Sequence, residues 1–472
     1  MSHRTTTHRT TTRPPSAGPA PLPLFSRQDW CWEWTRSYTG DSTPIESSET
    51  LLFQGPLDTG ALRDTLAEIG TGHEALRLHL VAGAGPDPSA VWPGQGLRSE
   101  PGPLDTVRAA PRERAAEVTR ILSRPLDLTD RMTRTTLVRT AEEEHVLVAQ
   151  FHHLIFDSTS HRLFRDLLAR GYHERVAPGQ GVAKRRAEPA SYTGLISQEH
   201  TAQVRSAVHG RAAGLAAELR AYGAADPLAG DAGAVVAEAE FGSLPLTLTA
   251  ERTRLLLRRS RAERVTLHTV LLAALSHAVA TAYERDRLVC SVYTHGRTSA
   301  SARETLGLFS TVVPVPVDTE YRSLSEFLKA VHGSVQRASD RADVPFSEIA
   351  SRVLDRPPGD GAYYRSALAH VELRLSGVTG WLPEAPNPPL ELPPGLAVTP
   401  QGLYPDHPFP VFAGPEQALA CASTLFADLE MSDGALTGAL WYEKHYHDAT
   451  RAARVSEIFL HFIERLSEGS TP

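Results

Sequence analysis

The chain has 472 residues, and its 41% hydrophobic content is enough to fill two core-bearing lobes. Its 48 lysines and arginines stand against 55 aspartates and glutamates, and this formal net charge of −7 argues against a general nucleic-acid binder. Three widely spaced cysteines (Cys31, Cys290 and Cys421) fit reduced thiols in a cytoplasmic protein rather than a disulfide framework, and no apolar run reaches the length of a membrane span.

Residues 1–22 are rich in Thr, Arg and Pro, lack an apolar signal core, and read as a disordered tail. The aromatic-rich segment from Phe25 to Trp32 is expected to pack on the core. A strand from Thr50 to Gln54 precedes a helix that begins near Leu57 and ends near Gly70. The stretch from Val81 to Pro103 is rich in Gly and Pro and reads as loop. A helix from Pro111 to Leu122 follows. After a turn at Ala141–Glu144, the strand-formers His145 to Phe151 lead into His152-His153-Leu154-Ile155-Phe156-Asp157-Ser158-Thr159-Ser160. Leu163, Phe164, Leu167 and Leu168 then share one helical face, with Ser158 and Ser160 as N-cap candidates. Linker-like stretches at Ala177–Pro189 and Tyr222–Val236 flank an Ala-rich helical stretch from Tyr192 to Ala221. The expected divisions are therefore a tail (1–22), an N-terminal lobe (23–185), an inter-lobe helix and linker (186–236) and a C-terminal lobe (237–468).

In the second half, helices are expected from Ala250 to Ser260 and after Thr266, and a strand from Arg287 to Thr294, closed by Gly296-Arg297. Ala367 to Leu375 reads as a strand. Ser376 to Pro410 is so rich in proline that regular interior structure is not expected; it reads as a surface loop or crossover. A hairpin turns at Asp433-Gly434, and the final helix, Thr450 to Leu466, lines up Val455, Ile458, Phe459, Phe462 and Ile463.

The chemistry-bearing stretch is the histidine pair. Successive strand residues face opposite sides, so only one of His152 and His153 is expected to face a cavity. An imidazole is suited to moving a proton near neutral pH. Asp157 fixes the turn or pairs with a buried cation, for which Arg297 is favoured over Arg134. A chain with 20 histidines can hold such a pair by chance, so the spacing alone does not decide. Zinc ranks below catalysis, because the pair lacks helical i, i+4 spacing and no nearby cysteine completes a tetrahedron.

The stretch from His152 to Ser158 resembles the HHxxxDG motif of the condensation domains of non-ribosomal peptide synthetases, in the chloramphenicol acetyltransferase-like superfamily. Other stretches match in order. Phe25–Trp32 resembles SxAQxRLW, one residue short and without its arginine. Gly72–Arg77 resembles RHExLR, and Pro125–Leu137 resembles PFDLxxGPLLRxxL with Asp130-Arg131 in place of Gly-Pro. Val265–Ala274 resembles TxFxxLLAA, Gly296-Arg297 with Gly307–Pro314 resembles GR…GxFxNxxPLR, and Val344–Ile349 resembles PFExL. The likeness runs from about Phe25 to Leu466.

It implies an α/β fold of two chloramphenicol acetyltransferase-like lobes in a V around a central tunnel. It implies a free-standing condensation enzyme of natural-product (antibiotic) biosynthesis, forming an amide or ester. The donor would be an acyl or aminoacyl group on the phosphopantetheine of a peptidyl or acyl carrier protein acting in trans. The acceptor would be a small-molecule or carrier-bound amine or hydroxyl. No cofactor or metal is expected on the chain itself, and no nucleic-acid or membrane partner. By the same resemblance His153 is catalytic, His152 is buried support, and Asp157 pairs with Arg297. Ser158, where the motif has Gly, either narrows the tunnel or offers a hydroxyl near the oxyanion. The alternatives are a coenzyme A-dependent acyltransferase and a non-catalytic recruitment module; an epimerising relative finds no clear support in His161-Arg162.

Overall fold

The computed structural model describes residues 20–32, 46–81, 94–178, 187–224, 228, 240–355, 370–376, 393, 395–400 and 424–468. Along the first half run β1 (Glu46–Gln54), α1 (Thr59–Gly72), β2 (Leu78–Val81), β3 (Gly94–Leu97), β4 (Leu104–Arg108), α2 (Arg114–Leu122), β5 (Thr133–Arg139), β6 (Glu144–His152), α3 (Ser158–Val176), α4 (Tyr192–Glu199) and α5 (Ala202–Ala221). The second half continues with β7 (Phe241–Leu248), α6 (Ala250–Glu263), α7 (Leu267–Tyr283), β8 (Arg287–Thr294), α8 (Ala300–Arg303), β9 (Thr311–Asp318), α9 (Leu324–Ser339) and α10 (Phe346–Leu354). It closes with β10 (Val371–Ser376), β11 (Ala397–Pro400), β12 (Leu425–Ser432), β13 (Ala435–Glu443) and α11 (Ala449–Glu468).

Two mixed sheets organise these elements. One has the order β11-β1-β6-β5-β4, the other β7-β13-β12-β10-β8-β9, and among the described residues β2 and β3 form a separate pair. Strand β6 lies inside the first sheet and is covered on both faces. Alternation sends Leu147, Ala149 and Phe151 into the main core with α3, and Val146 and Val148 into a smaller core with Val118 and Ile121 of α2. That double cover explains the apolar run Val146–Ala149 before the histidines. In the second lobe α7 is mostly apolar and largely buried among β8, α9 and α11, with Thr281 left exposed. Its N-cap is Thr266, whose Oγ1 accepts from the Thr269 N–H at 3.0 Å. The β12–β13 turn has Asp433 at φ 50° and Gly434 at φ 78°, the left-handed pair that a two-residue hairpin requires. Strand prolines fall on edges: Pro245 on β7, Pro314 and Pro316 on β9, and Pro400 on β11.

Several expectations need correction. Within the stretch read as loop, Gly94–Leu97 is a strand, held by β2 despite its two glycines. Leu22, assigned to the tail, is bonded both ways to the Gln95 backbone, because β3 leaves that edge open. The Ala-rich stretch is two helices, broken at His200-Thr201, where Thr201 caps the second through the Val204 N–H. Ala397–Pro400, inside the proline-rich region, is a strand, and it joins the first lobe's sheet beside β1. The C-terminal lobe is therefore not simply residues 237–468; Leu306, Leu308, Phe309 and the buried face of α10 also pack in the first lobe's core. Parts of the two linkers (179–186, 225–227, 229–239), residues 1–19 of the tail and Cys421 lie outside the described residues. Among the described residues, no single helix is long and apolar enough to cross a membrane.

Candidate active site

Strand β6 ends at His152, and the chain turns at once into a short 3-10 helix, His153–Ile155. The turn, not strand alternation, separates the two rings. This corrects the expectation that both histidines lie on the strand. The His152 ring folds back on its own turn: Nδ1 accepts the Leu154 N–H at 3.2 Å, so the neutral ring carries its proton on Nε2. Full burial, with the neighbouring His153 adding to it, pushes its pKa down to about 3.

His153 is half-buried, and its Nδ1 lies 2.6 Å from the Phe156 carbonyl oxygen. A carbonyl oxygen only accepts, so Nδ1 carries the proton and Nε2 keeps its lone pair. Burial holds this imidazole below the usual histidine range; the Phe156 carbonyl and Asp157 act in the opposite direction without cancelling it. Trp30 stands edge-on to the ring at 5.3 Å between centroids. The stacked pair Phe151–Phe156, 3.8 Å apart, anchors the far end of the turn.

The buried His152 gives a stability prediction. Its folded pKa lies below the unfolded value near 6.5, so the unfolded chain binds the extra proton. Stability from this group is complete above about pH 6.5 and falls as pH drops toward about 3, by up to about 1.4 kcal/mol per pH unit. His152→Asn, which keeps an acceptor near the Nδ1 position, should flatten that part of the denaturant-melt profile. An unchanged acid limb in the variant would show that His152 does not set it.

Asp157, not Ser158 or Ser160, is the N-cap of α3: its Oδ1 accepts the Ser160 N–H at 2.9 Å. A carboxylate serves there as well as a hydroxyl and also favours the positive end of the helix. The other oxygen, Oδ2, accepts from Arg297 Nη1 at 2.5 Å and from the N–H groups of Phe309 and Ser310 at 3.0 and 3.2 Å. Both partners of the ion pair are 1% exposed, so the pair is dry. Burial alone would raise the Asp157 pKa; the Arg297 charge and these donors outweigh it and hold the carboxyl below its ordinary value.

Arg297 is satisfied on several sides. Its Nη2 donates to Ser160 Oγ and to the carbonyls of Thr305 and Gly307, and its guanidinium lies 4.4 Å from the Phe309 ring centroid. The preceding Gly296 has φ 62°, and a Cβ there would come within 2.1 Å of the Phe309 carbonyl oxygen, so only glycine fits. The loop from Thr305 to Ser310 is thereby fastened to the first lobe. Tyr192 donates its hydroxyl to the Leu308 carbonyl at 3.0 Å, and His73 Nδ1 accepts the Leu306 N–H at 3.1 Å. Arg134 is elsewhere, bonded to the Arg124 and Pro125 carbonyls. Ser158 is exposed at the first position of α3.

Sequence reasoning missed the neighbours of His153. Trp30, Gln28, Tyr293 and Arg374 come from distant segments, and no local pattern announces them. Gln28 Nε2 donates to the Leu154 carbonyl at 2.8 Å. Tyr293 lies 6.4 Å from Trp30 between ring centroids, and the Arg374 guanidinium sits over both the Tyr293 and Phe426 rings. The Arg374 charge helps keep His153 neutral. Among the described residues, no group of three or more His, Cys, Asp or Glu is placed to hold a metal ion.

The model of the condensation domain family matches residues 23–356, most of the chain and all of the site except Arg374 and Phe426. The chain belongs to the condensation domain family. Its curated relatives include the non-ribosomal peptide synthetase penN of Penicillium thymicola, 24% identical over 356 residues, and surfactin synthase subunit 2 of Bacillus subtilis (strain 168), 26% identical over 317 residues. These matches cover 73% and 65% of this condensation domain but only 12% and 8% of the two synthetases. Solved structures agree on the two-lobed α/β fold. The X-domain in its complex with OxyB from teicoplanin biosynthesis has a TM-score of 0.69 at 22% identity, covering 96% of this chain and 94% of that one. VibH, a condensation enzyme of non-ribosomal peptide synthesis, has a TM-score of 0.67 at 17% identity, covering 94% and 95%.

Proposed function

We propose that this condensation domain transfers an acyl or aminoacyl group from a carrier-protein phosphopantetheine thioester to an amine or hydroxyl acceptor, with His153 as the catalytic residue. The observation that carries this reading is the His153 ring itself. Its tautomer is fixed by the Phe156 carbonyl, it is kept neutral by burial, and its Nε2 lone pair is left to meet a nucleophile. As the acceptor nitrogen or oxygen attacks the thioester carbon, Nε2 takes or steers its proton. The tetrahedral intermediate then collapses with loss of the C–S bond, and the proton passes to the departing thiolate. Holding donor and acceptor together supplies up to about 7–11 kcal/mol of the barrier lowering. In this reading His152, Asp157 and Arg297 hold the turn and the lobe junction in place, and the exposed Ser158 hydroxyl borders the reacting groups. The chain itself holds no cofactor, and the acyl group arrives on its partner.

The test compares donors. An acyl group on its cognate carrier protein should react about 10²-fold or more faster than the same group on coenzyme A, because docking raises its local concentration. Equal rates would transfer the assignment to a coenzyme A-dependent acyltransferase. The likeness to an X-domain seen in complex with OxyB supports a second reading, a recruitment module. It predicts stable binding of a partner enzyme with no product from any loaded carrier.

A further inference from the structure

The segment Phe25–Trp30 meets more of the molecule than its length suggests. Ser26 donates through N and Oγ to Glu199 of α4. Phe25 packs edge-on against Tyr192 and against Phe309 of the second half. Gln28 bonds the Leu154 carbonyl inside the histidine turn, and Trp30 lies against the His153 ring. Between those two residues stands Asp29, 6% exposed.

Asp29 faces the other half of the chain. Its Oδ1 accepts the Trp30 N–H at 2.5 Å. Its Oδ2 accepts the Ser347 N–H at 3.2 Å and the Ser347 hydroxyl. Ser347 is the second residue of α10, whose own N-cap position is Pro345, with no side-chain cap. A helix start leaves free N–H groups that want an acceptor. Asp29 supplies it from 318 residues away.

We propose that Asp29 is a positioning residue for His153: by capping α10 with one oxygen and holding the Trp30 backbone with the other, it sets the indole against the imidazole and links the ring's placement to the second lobe. The proposal rests on His153 being the reactive group, but the contact chain Ser347–Asp29–Trp30–His153 stands whether or not that ring turns over substrate. Glu199 is the like charge that acts on Asp29, while Asp157, His161 and Arg374 act on His153. Burial pushes the Asp29 carboxyl up to about 7, which suits a group whose placement matters more than its charge.

The experiment uses the full chain with histidine labelled at Cε1. The His153 resonance is identified by its loss in His153→Gln, and that of the remote His447 serves as control. Ser347→Ala should displace the His153 resonance and shift its titration midpoint, leaving His447 in place. Ser347→Thr, which keeps the hydroxyl, should restore the wild-type position. Asp29→Asn should move the resonance in the same direction as Ser347→Ala, and Ser347→Ala decides alone if that variant does not fold. A folded Ser347→Ala protein with an unmoved His153 resonance overturns the proposal, as does an equal displacement in Ser347→Thr. Full turnover in His153→Gln would instead overturn the catalytic assignment and leave this contact chain untouched.

Discussion

His153→Ala should lower acyl transfer by about 10²- to 10⁴-fold while the circular dichroism and melting of the protein stay close to wild type. The expectation follows from how little else depends on the ring. Its Nδ1 bond is to the Phe156 carbonyl within its own turn, and it is half-buried beside Trp30. A neutral imidazole with Nδ1 committed and Nε2 making no hydrogen bond among the described residues can do proton work that alanine cannot. A His153→Ala enzyme that makes product at the wild-type rate would remove the residue from the mechanism. His152→Ala should behave in the opposite way, losing stability first, because its ring is wholly buried and tied to Leu154.

The second large effect is on the lobe junction. Removing either partner of the Asp157–Arg297 pair leaves a charge stranded at 1% exposure, and each single alanine variant should lose about 3–5 kcal/mol. The double variant should lose less than the sum of the two, since neither charge is then left alone. Asp157→Ala also strips an acceptor from Phe309 N, Ser310 N and the α3 N-terminus, so it should cost at least as much as Arg297→Ala. Denaturant melts of the four proteins close the cycle. Additive losses would mean that the two side chains do not interact in solution.

Much of this site was legible because its parts obey local rules. A strand of β-formers, a tight turn and an amphipathic helix are each written in adjacent residues. An aspartate just after a buried strand asks for a cation, and Arg297, at the end of another strand, is the natural one. The N-cap was misread for a physical reason: Ser158, Ser160 and Asp157 are all good caps, and only the backbone path selects among them. Residues 94–97 carry two glycines and almost no strand signal, so the pairing with β2 came from tertiary contact. Asp29 and Ser347 could not be found together at all. Each looks ordinary in its own segment, and what joins them is the packing of one half of the chain on the other.

The strand from Ala397 to Pro400 bears on how the protein is born. Its four residues supply the outer neighbour of β1, so the first sheet lacks its last member until most of the chain has left the ribosome. At about 5–20 residues per second, that leaves the edge of Leu51–Gln54 without this partner for roughly tens of seconds of synthesis. A nascent N-terminal half would meanwhile present a ready template for pairing with other chains. A late-made strand thus completes a sheet begun by an early one, and the first lobe is finished only once residues of the second half have been made.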